Sequence, residues 1–226
     1  MQRKRTEQKI ITTVHDAVLL KRKLQLMMQT DEHCKSSLGY TVRTLYFDTA
    51  DNKLRENNSN EALHEEIRIR VYPDGDEKIK LQYKRTDNDV FKKESLIIDE
   101  NIFYELIKGN YEVLLNIDDQ KAQSFYWKLN RGLKPKKIVD FKRFSYIQAL
   151  NNIKISVDTD IRETRSSFDI LDRSIITYPA APCDMAVIDI KYDDFLFDYI
   201  KDTLRILKKF PCNYSVYRSA QTFKNI

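Results

Sequence analysis

The chain has few of the residues that form linkers and low-complexity segments. Its 226 residues include only 4 glycines and 5 prolines, and no repeat recurs at a fixed spacing. A hydrophobic content of 42% is nevertheless enough for a core. We therefore expect a single domain over residues 1–226.

Cysteine and histidine are also scarce. The 3 cysteines, Cys34, Cys183 and Cys212, are odd in number and far apart, so we expect free thiols in a reducing compartment. The 3 histidines are scattered and give no spacing typical of a zinc site. We find no apolar run long enough to cross a bilayer and no signal-peptide pattern, which favours a cytoplasmic protein.

The chain does contain two neighbouring segments in which basic and apolar residues alternate. Residues 66–70 read Glu-Ile-Arg-Ile-Arg, and residues 78–84 read Lys-Ile-Lys-Leu-Gln-Tyr-Lys. Alternation of this kind is typical of β-strands, because successive side chains point to opposite faces. One face of a two-strand pair would then carry five cations, namely Arg68, Arg70, Lys78, Lys80 and Lys84.

Such a face has two interpretations. An antiparallel sheet with one solvated face alternates in the same way. Five cations against one carboxylate favour an anion-binding face instead, since like charges on adjacent strands repel each other. The alternation returns in segments 154–162 and 186–191, where acidic and basic residues alternate with aliphatic or small ones.

The remaining periodicity predicts an α+β layout of many antiparallel strands and a few helices. The predicted strands cover Thr6–Thr13, Tyr40–Asp48, Glu66–Tyr72, Glu77–Lys84, Phe91–Ile98, Lys137–Tyr146, Ile153–Arg162 and Met185–Tyr192. The predicted helices cover Val14–Gln29, a segment from Asp99 or Glu100 to Lys108, Asp119–Leu133 and Asp193–Phe210. We expect Pro135 to end the third helix and Trp127 to anchor one face of it.

Seven segments, in this order, resemble the VTC domain of polyphosphate polymerases, within the wider CYTH-like group of triphosphate tunnel metalloenzymes. They are Arg5–Lys9, Thr44–Thr49, Ile67–Tyr72, Leu81–Lys84, Val139–Arg143, Val187–Tyr192 and Tyr214–Tyr217. The resemblance implies a closed, eight-stranded antiparallel β-barrel with a basic lumen and flanking helices.

The resemblance also implies a function. The lumen would bind the phosphates of ATP, or of another nucleoside triphosphate, and polyphosphate, and would transfer a phosphoryl group with the help of Mn²⁺ or Mg²⁺. It leaves room for a membrane-protein partner, although no segment here would anchor the chain. Specific binding of nucleic acid is not expected, because the cations lie on strands that lack base-stacking surface aromatics.

By this resemblance the site residues fall into three groups. The phosphate ligands are Lys9, Arg43, Arg68, Arg70, Lys80, Lys84, Arg143, Lys154 and Lys191; the catalytic residues are Arg68, Arg70 and Lys191; and the metal ligands are Glu7 and Asp189. Lys9 and Lys191 could instead be ordinary exposed lysines. For Asp158 and Asp160 we expect ion pairs with Lys154 or Arg162 rather than a metal role.

Several positions depart from the family pattern. Glu65 and Glu66 stand where the family has basic residues, Gln82 and Asp189 stand for glutamate, Lys154 stands for arginine, and Val216 stands for lysine. Two functions therefore remain open: a metal-dependent phosphotransferase or triphosphatase, and a polyanion-binding module with little or no turnover.

Overall fold

The computed structural model describes residues 5–51, 54, 63–75, 78–87, 90–207 and 210–211. Its strands are β1 (Arg5–Thr13), β2 (Gln29–Thr30), β3 (Tyr40–Asp48), β4 (Leu63–Val71), β5 (Ile79–Asp87), β6 (Val90–Ile98), β7 (Lys134–Gln148), β8 (Ile153–Thr164), β9 (Tyr178–Pro179), β10 (Met185–Asp193) and β11 (Phe210–Pro211). Its α-helices are α1 (Val14–Leu24), α2 (Glu100–Lys108), α3 (Gln120–Leu129) and α4 (Asp198–Leu204). Short 3-10 helices cover Tyr111–Asn116 and Leu150–Asn152.

The strands form one sheet, in the order β11-β1-β10-β8-β7-β3-β4-β5-β6, with β2 beside β7 and β9 beside β8. The pairs of defined register are antiparallel, for example β1 with β10 and β4 with β5. The expected closed barrel is wrong: within the described residues the sheet is open, with β11 and β6 at its ends. Closure requires the two terminal strands to pair, whereas β11 has only two residues and pairs with β1.

Contacts divide the chain into two compact units. Unit 1 comprises Met1–Thr41, Phe141–Arg162 and Pro179–Ile226, and unit 2 comprises Val42–Asp140 and Glu163–Tyr178. Each unit combines segments that are distant in sequence. The single domain over residues 1–226 stays a prediction.

In unit 1, two helices cover one face of the strands β1, β8 and β10. Leu20 of α1 and Ile200 of α4 pack with Ile155 and Ile188 of the sheet, and all four are fully buried. Helix α1 begins where the Thr13 side chain accepts a hydrogen bond from the Asp16 amide at 3.1 Å. Burial of the apolar stripe of each helix holds this layer together.

In unit 2, α2 and α3 cover the apolar face of β3 to β6. Leu45, Ile69 and Leu81 of the strands pack with Phe103 of α2 and Phe125 of α3, and all five are fully buried. Helix α2 starts at an Asp99 cap that accepts from the Ile102 amide at 2.8 Å, and it ends at Gly109, whose φ of +92° is typical of glycine.

Three predicted helix boundaries were wrong. The first helix ends at Leu24 instead of Gln29, because the chain turns there to enter β2. The third ends at Leu129, so Pro135 lies inside β7 and does not terminate it. The last covers only Asp198–Leu204. Trp127 is 66% exposed and therefore does not anchor its helix.

Two cysteines, Cys34 and Cys183, are free thiols, as expected. Cys212 and the segment Tyr214–Tyr217 lie outside the described residues. In the described part of the chain, no helix has both the length and the apolar character needed to cross a membrane.

Candidate active site

Two arginines of β4 lie on the face of the unit 2 sheet that is turned away from the core. Residues directly opposite each other in an antiparallel pair share a face. The register sets Arg68 opposite Gln82 of β5, and Arg70 opposite Lys80. Ile69, between the two arginines, is fully buried in the core on the other side. The alternation in the sequence thus predicts the two faces correctly.

Lys84 extends this cationic face along β5. It lies opposite Glu66 of β4 and Lys93 of β6. Its sequence neighbours Tyr83 and Arg85 occupy the other phase of the strand, in which Tyr83 packs in the core. We call the shared set the cation row of unit 2: Arg68, Arg70, Lys80 and Lys84.

Both arginines of the cation row already donate hydrogen bonds to other side chains of this chain. Arg68 forms a short ion pair with Glu66, and its Nε donates to the Gln82 Oε1 at 3.1 Å. Arg70 Nε donates to the Thr44 Oγ1 at 3.1 Å. Burial alone would lower the pKa of Arg68, but the Glu66 carboxylate raises it above its ordinary value. Arg68 is therefore a permanent cation, and an incoming phosphate competes with Glu66 for it.

The polar face of unit 1 is built around Asp189 of β10. This carboxylate is only 3% exposed, and the register places Lys9 of β1 and Ser156 of β8 directly opposite it. The Lys191 Nζ lies 2.9 Å from the Asp189 Oδ2, and the Arg143 Nη2 lies 3.9 Å from the same oxygen. A buried anion is thus surrounded by three predicted phosphate ligands.

Asp189 is held in its charged form although it is buried. Burial by itself raises the pKa of this carboxyl, but the charges of Lys191 and Lys9 outweigh it, so that the pKa lies below its ordinary value. Its Oδ1 atom is buried and receives no hydrogen bond from the described residues. A charged oxygen with an unused acceptor position is suited to bind a cation.

Arg143 forms a two-pronged ion pair on the same face. Its Nε and Nη2 donate to the two carboxylate oxygens of Asp158, both at 2.6 Å. The expected pairing of Asp158 with Lys154 or Arg162 is wrong, because β7 brings the fork of Arg143 within closer reach. The expected pairing of Asp160 with Arg162 is confirmed at 3.6 Å.

The remaining predicted phosphate ligands have other partners. Lys154 forms a short ion pair with Asp31. Arg43 lies opposite Val71, in the core phase of β3, so the structure does not bring it to the cation row. Its Nε and Nη2 bind Asp140 at 3.0 and 2.9 Å. Arg43 is thus occupied by a buried ion pair on the opposite face of the sheet.

The partners of these cations were not predicted. Glu66 was noted as an acidic residue beside the arginines, and its pairing with Arg68 could have been inferred, because it lies two residues earlier and therefore on the same face of a strand. Asp31 and Asp140 pair with residues 123 and 97 positions away, for which the local pattern carries no signal. A further missed pair joins the buried Lys137 to Glu163 at 3.3 Å.

Comparison with known proteins identifies the family. The model of the VTC domain matches residues 4–223, which is nearly the whole chain. The chain belongs to the VTC domain family. No curated protein matches it in sequence.

Solved structures share the fold of this VTC domain. A Pyrococcus horikoshii protein is 14% identical, with 97% of this chain and 99% of that chain covered and a TM-score of 0.52. A candidate adenylate cyclase from Bacillus halodurans is 11% identical, with 95% and 98% covered and a TM-score of 0.54. A candidate adenylyl cyclase from Hippeastrum, for which a dominant triphosphatase activity is described, is 14% identical, with 94% of each chain covered and a TM-score of 0.55. At these identities the likeness shows the fold alone.

The acidic residues of the VTC domain fit a divalent cation only in part. Within residues 5–207, excluding the gaps given above, no three His, Cys, Asp or Glu side chains cluster as a metal cage. Glu7 and Asp189 nevertheless share one ammonium group, since Lys191 Nζ lies 3.4 Å from the Glu7 Oε1 and 2.9 Å from the Asp189 Oδ2. Mg²⁺ is commonly held by one or two carboxylates, with waters and substrate phosphates as the other ligands. The two carboxylates fit that kind of site.

Proposed function

We propose that this VTC domain binds a nucleoside triphosphate and polyphosphate through cations of its strands, and that it transfers a phosphoryl group from the first to the second. The binding residues would be the cation row in unit 2, and Lys9, Lys191 and Arg143 in unit 1. Family membership supports a function related to triphosphate or polyphosphate. The transfer step is our own inference.

The observation that carries the proposal is the environment of Asp189. A buried carboxylate costs stability unless its oxygens are paired. Asp189 is kept anionic by Lys191 and Lys9, yet its Oδ1 receives no hydrogen bond from the described residues. The unused oxygen therefore supports a role as a cation ligand beside phosphate-binding lysines.

The candidate residues of each unit would act mainly by position and charge. Charge on a transferring phosphoryl group is spread over its oxygens, so fixed cations stabilise it most effectively. Once their present acceptors are displaced, Arg68 and Arg70 could each give two parallel hydrogen bonds to a phosphate, and Lys191 would supply a point charge. A divalent cation held by Glu7 and Asp189 would neutralise further charge on the phosphate oxygens.

A second candidate function, binding without turnover, is favoured by one specific observation. Arg68 and Arg143, two of the strongest expected phosphate ligands, are already neutralised by Glu66 and Asp158. Each carboxylate must give way before a phosphate can take its place. Such competition lowers the affinity for phosphate. It also weakens the positive electrostatic field that would stabilise the transition state.

The test is turnover of ATP by the purified protein with Mg²⁺ or Mn²⁺, with polyphosphate and released phosphate measured in parallel. Asp189→Asn should abolish turnover, because it removes the charge of the proposed metal ligand. Asp193→Asn is the matched control, since Asp193 lies on the same face of β10 but pairs with Arg5 at 3.5 Å. It should leave turnover nearly unchanged.

The outcomes separate the two candidates. Polyphosphate formation that depends on Asp189 would support transfer, and release of phosphate alone would support hydrolysis. If the wild-type protein binds tripolyphosphate but turns over no triphosphate with either metal, the binding module is correct. Equal loss of turnover in both variants would contradict the role of Asp189.

A further inference from the structure

Unit 1 contains a groove on the side of its sheet that carries α1. Its volume is about 360 Å³, and we call it the α1 groove; its walls include Ala17, Val18, Lys21, Phe144, Val157 and Pro182. Val157 packs with α1, whereas its neighbour Asp158 lies in the other phase of β8 with Arg143. At this point of β8 the groove and the polar face around Asp189 therefore lie on opposite sides of the strand.

The chemistry of the α1 groove is amphiphilic. Its walls are largely aliphatic and aromatic, and the basic residues Lys21, Lys142 and Arg162 line it together with a single acidic residue, Asp160. Asp160 is already paired with Arg162. Pockets of a few hundred Å³ that are mainly apolar and carry a few placed polar groups are typical of small-molecule sites.

Lys21 is the feature that selects a ligand. Its Nζ lies 4.1 Å from the centre of the Phe144 ring and donates to the Ser37 carbonyl at 3.4 Å. In the part of the chain that the structure describes, no carboxylate pairs with it. Burial lowers the pKa of Lys21 from its ordinary value. An anion in the groove would compensate this half-buried charge, and the ring of Phe144 would contact an apolar body beside it.

We propose that the α1 groove binds a small amphiphilic anion, that is, an apolar chain or ring that carries one acidic group, with the acidic group on Lys21. The site is distinct from the proposed phosphate site and does not depend on it.

The experiment uses two fluorescent probes of similar ring structure. The dye 1-anilinonaphthalene-8-sulfonate has an apolar body and one anionic group, and N-phenyl-1-naphthylamine has the same body without the charge. Lys21→Met should weaken binding of the anionic dye by about tenfold, because it removes a charge-assisted hydrogen bond, and should change binding of the neutral dye by less than about twofold.

Lys23→Met is the matched control, since Lys23 is exposed on the same helix. It should leave both affinities unchanged. Tripolyphosphate at constant ionic strength should not displace the dye. Equal effects of the two lysine variants, or displacement by tripolyphosphate, would overturn the proposal. Because tripolyphosphate binding is measured separately, failure here leaves the proposed function standing.

A second measurement does not depend on the lysine variants. The exposed thiol of Cys183 lines the groove. Bound anionic dye should slow its alkylation, followed by peptide mass spectrometry so that Cys183 is read separately from the other cysteines. The proposal is overturned if saturating dye leaves the alkylation rate of Cys183 unchanged in the wild-type protein.

Discussion

At the residue scale, the cations of this VTC domain are held by carboxylates of the same chain. Arg68, Arg143 and Lys154 each have such a partner, in Glu66, Asp158 and Asp31. A face of uncompensated cations would be repulsive, and the ion pairs reduce that cost. They also set the strength of any phosphate binding, because a phosphate competes with each carboxylate.

Removal of Glu66 should strengthen binding of phosphate. Glu66→Gln keeps the shape of the side chain but removes the charge that competes for Arg68, so affinity for tripolyphosphate should rise by about three- to tenfold. Isothermal titration at constant salt measures this. Glu65→Gln is the matched control, because Glu65 pairs with Arg131 at 3.2 Å and lies in the other phase of β4. An equal gain in both variants would point to net charge alone.

Removal of Asp158 should destabilise the fold. Asp158 is 1% exposed and accepts hydrogen bonds from both Nε and Nη2 of Arg143. Asp158→Asn leaves this nearly buried guanidinium with only the Asp189 carboxylate, 3.9 Å away, and should cost about 3 kcal/mol. Asp160→Asn removes a more exposed carboxylate at 3.6 Å from Arg162, and should cost less than about 0.5 kcal/mol. Urea unfolding of both variants tests the difference. Similar losses of unfolding free energy in the two variants would contradict the importance of the Arg143–Asp158 ion pair.

At the element scale, Glu94 joins β6 to α3. Its Oε2 accepts from Lys128 Nζ at 2.9 Å and from Ser124 Oγ at 3.2 Å, both on the helix. Burial alone would raise the pKa of Glu94, but hydrogen bonds from Lys92 and Lys128 lower it to about 2 from its ordinary 4.5. Because the folded pKa is depressed, the stabilisation is complete above pH 4.5 and is lost as the pH falls towards 2.

Glu94→Gln should therefore destabilise the protein near neutral pH by about 1 to 2 kcal/mol, since solvent screens part of the interaction. The deficit should shrink between pH 4.5 and pH 2, because the wild-type carboxylate becomes protonated there. Urea midpoints at several pH values test this, with the exposed Glu32→Gln as control. A deficit that stays constant with pH would show that Glu94 acts through packing.

The elements themselves were largely predictable. The bounds of β3 were predicted to the residue, and those of β1 and β10 to within one, because alternation and β-branched residues mark them clearly. Helix ends were less predictable. Helix α3 stops at Leu129 because the chain turns at Gly132, whose φ is +87°. The hydrophobic periodicity of the sequence does not indicate such a turn. Pro135 sits in a strand instead.

At the scale of the whole molecule, sequence predicted which residues share a face but not how the sheet ends. Alternation is local, and it correctly put Arg68 and Arg70 on one face with Lys80 and Lys84. Closure of a barrel depends on the pairing of strands far apart in the chain, and here the described strands leave the sheet open. The counter-ions Asp31 and Asp140 escaped prediction for the same reason, because they are distant in sequence.

The proposed function depends on phosphate binding by the polar face of β4 and β5. Lys84 and Arg85 allow a matched comparison, because they are adjacent in sequence, both basic and on opposite faces of β5. The measurement is tripolyphosphate affinity over a range of salt concentrations for the wild type, Lys84→Ala and Arg85→Ala. We expect wild-type affinity to fall steeply with salt, since each cation that contacts a phosphate releases counter-ions. Lys84→Ala should weaken binding by about tenfold at low salt and flatten this dependence, while Arg85→Ala should match the wild type. Binding that is insensitive to salt, or lost equally in both variants, would contradict phosphate binding by this face.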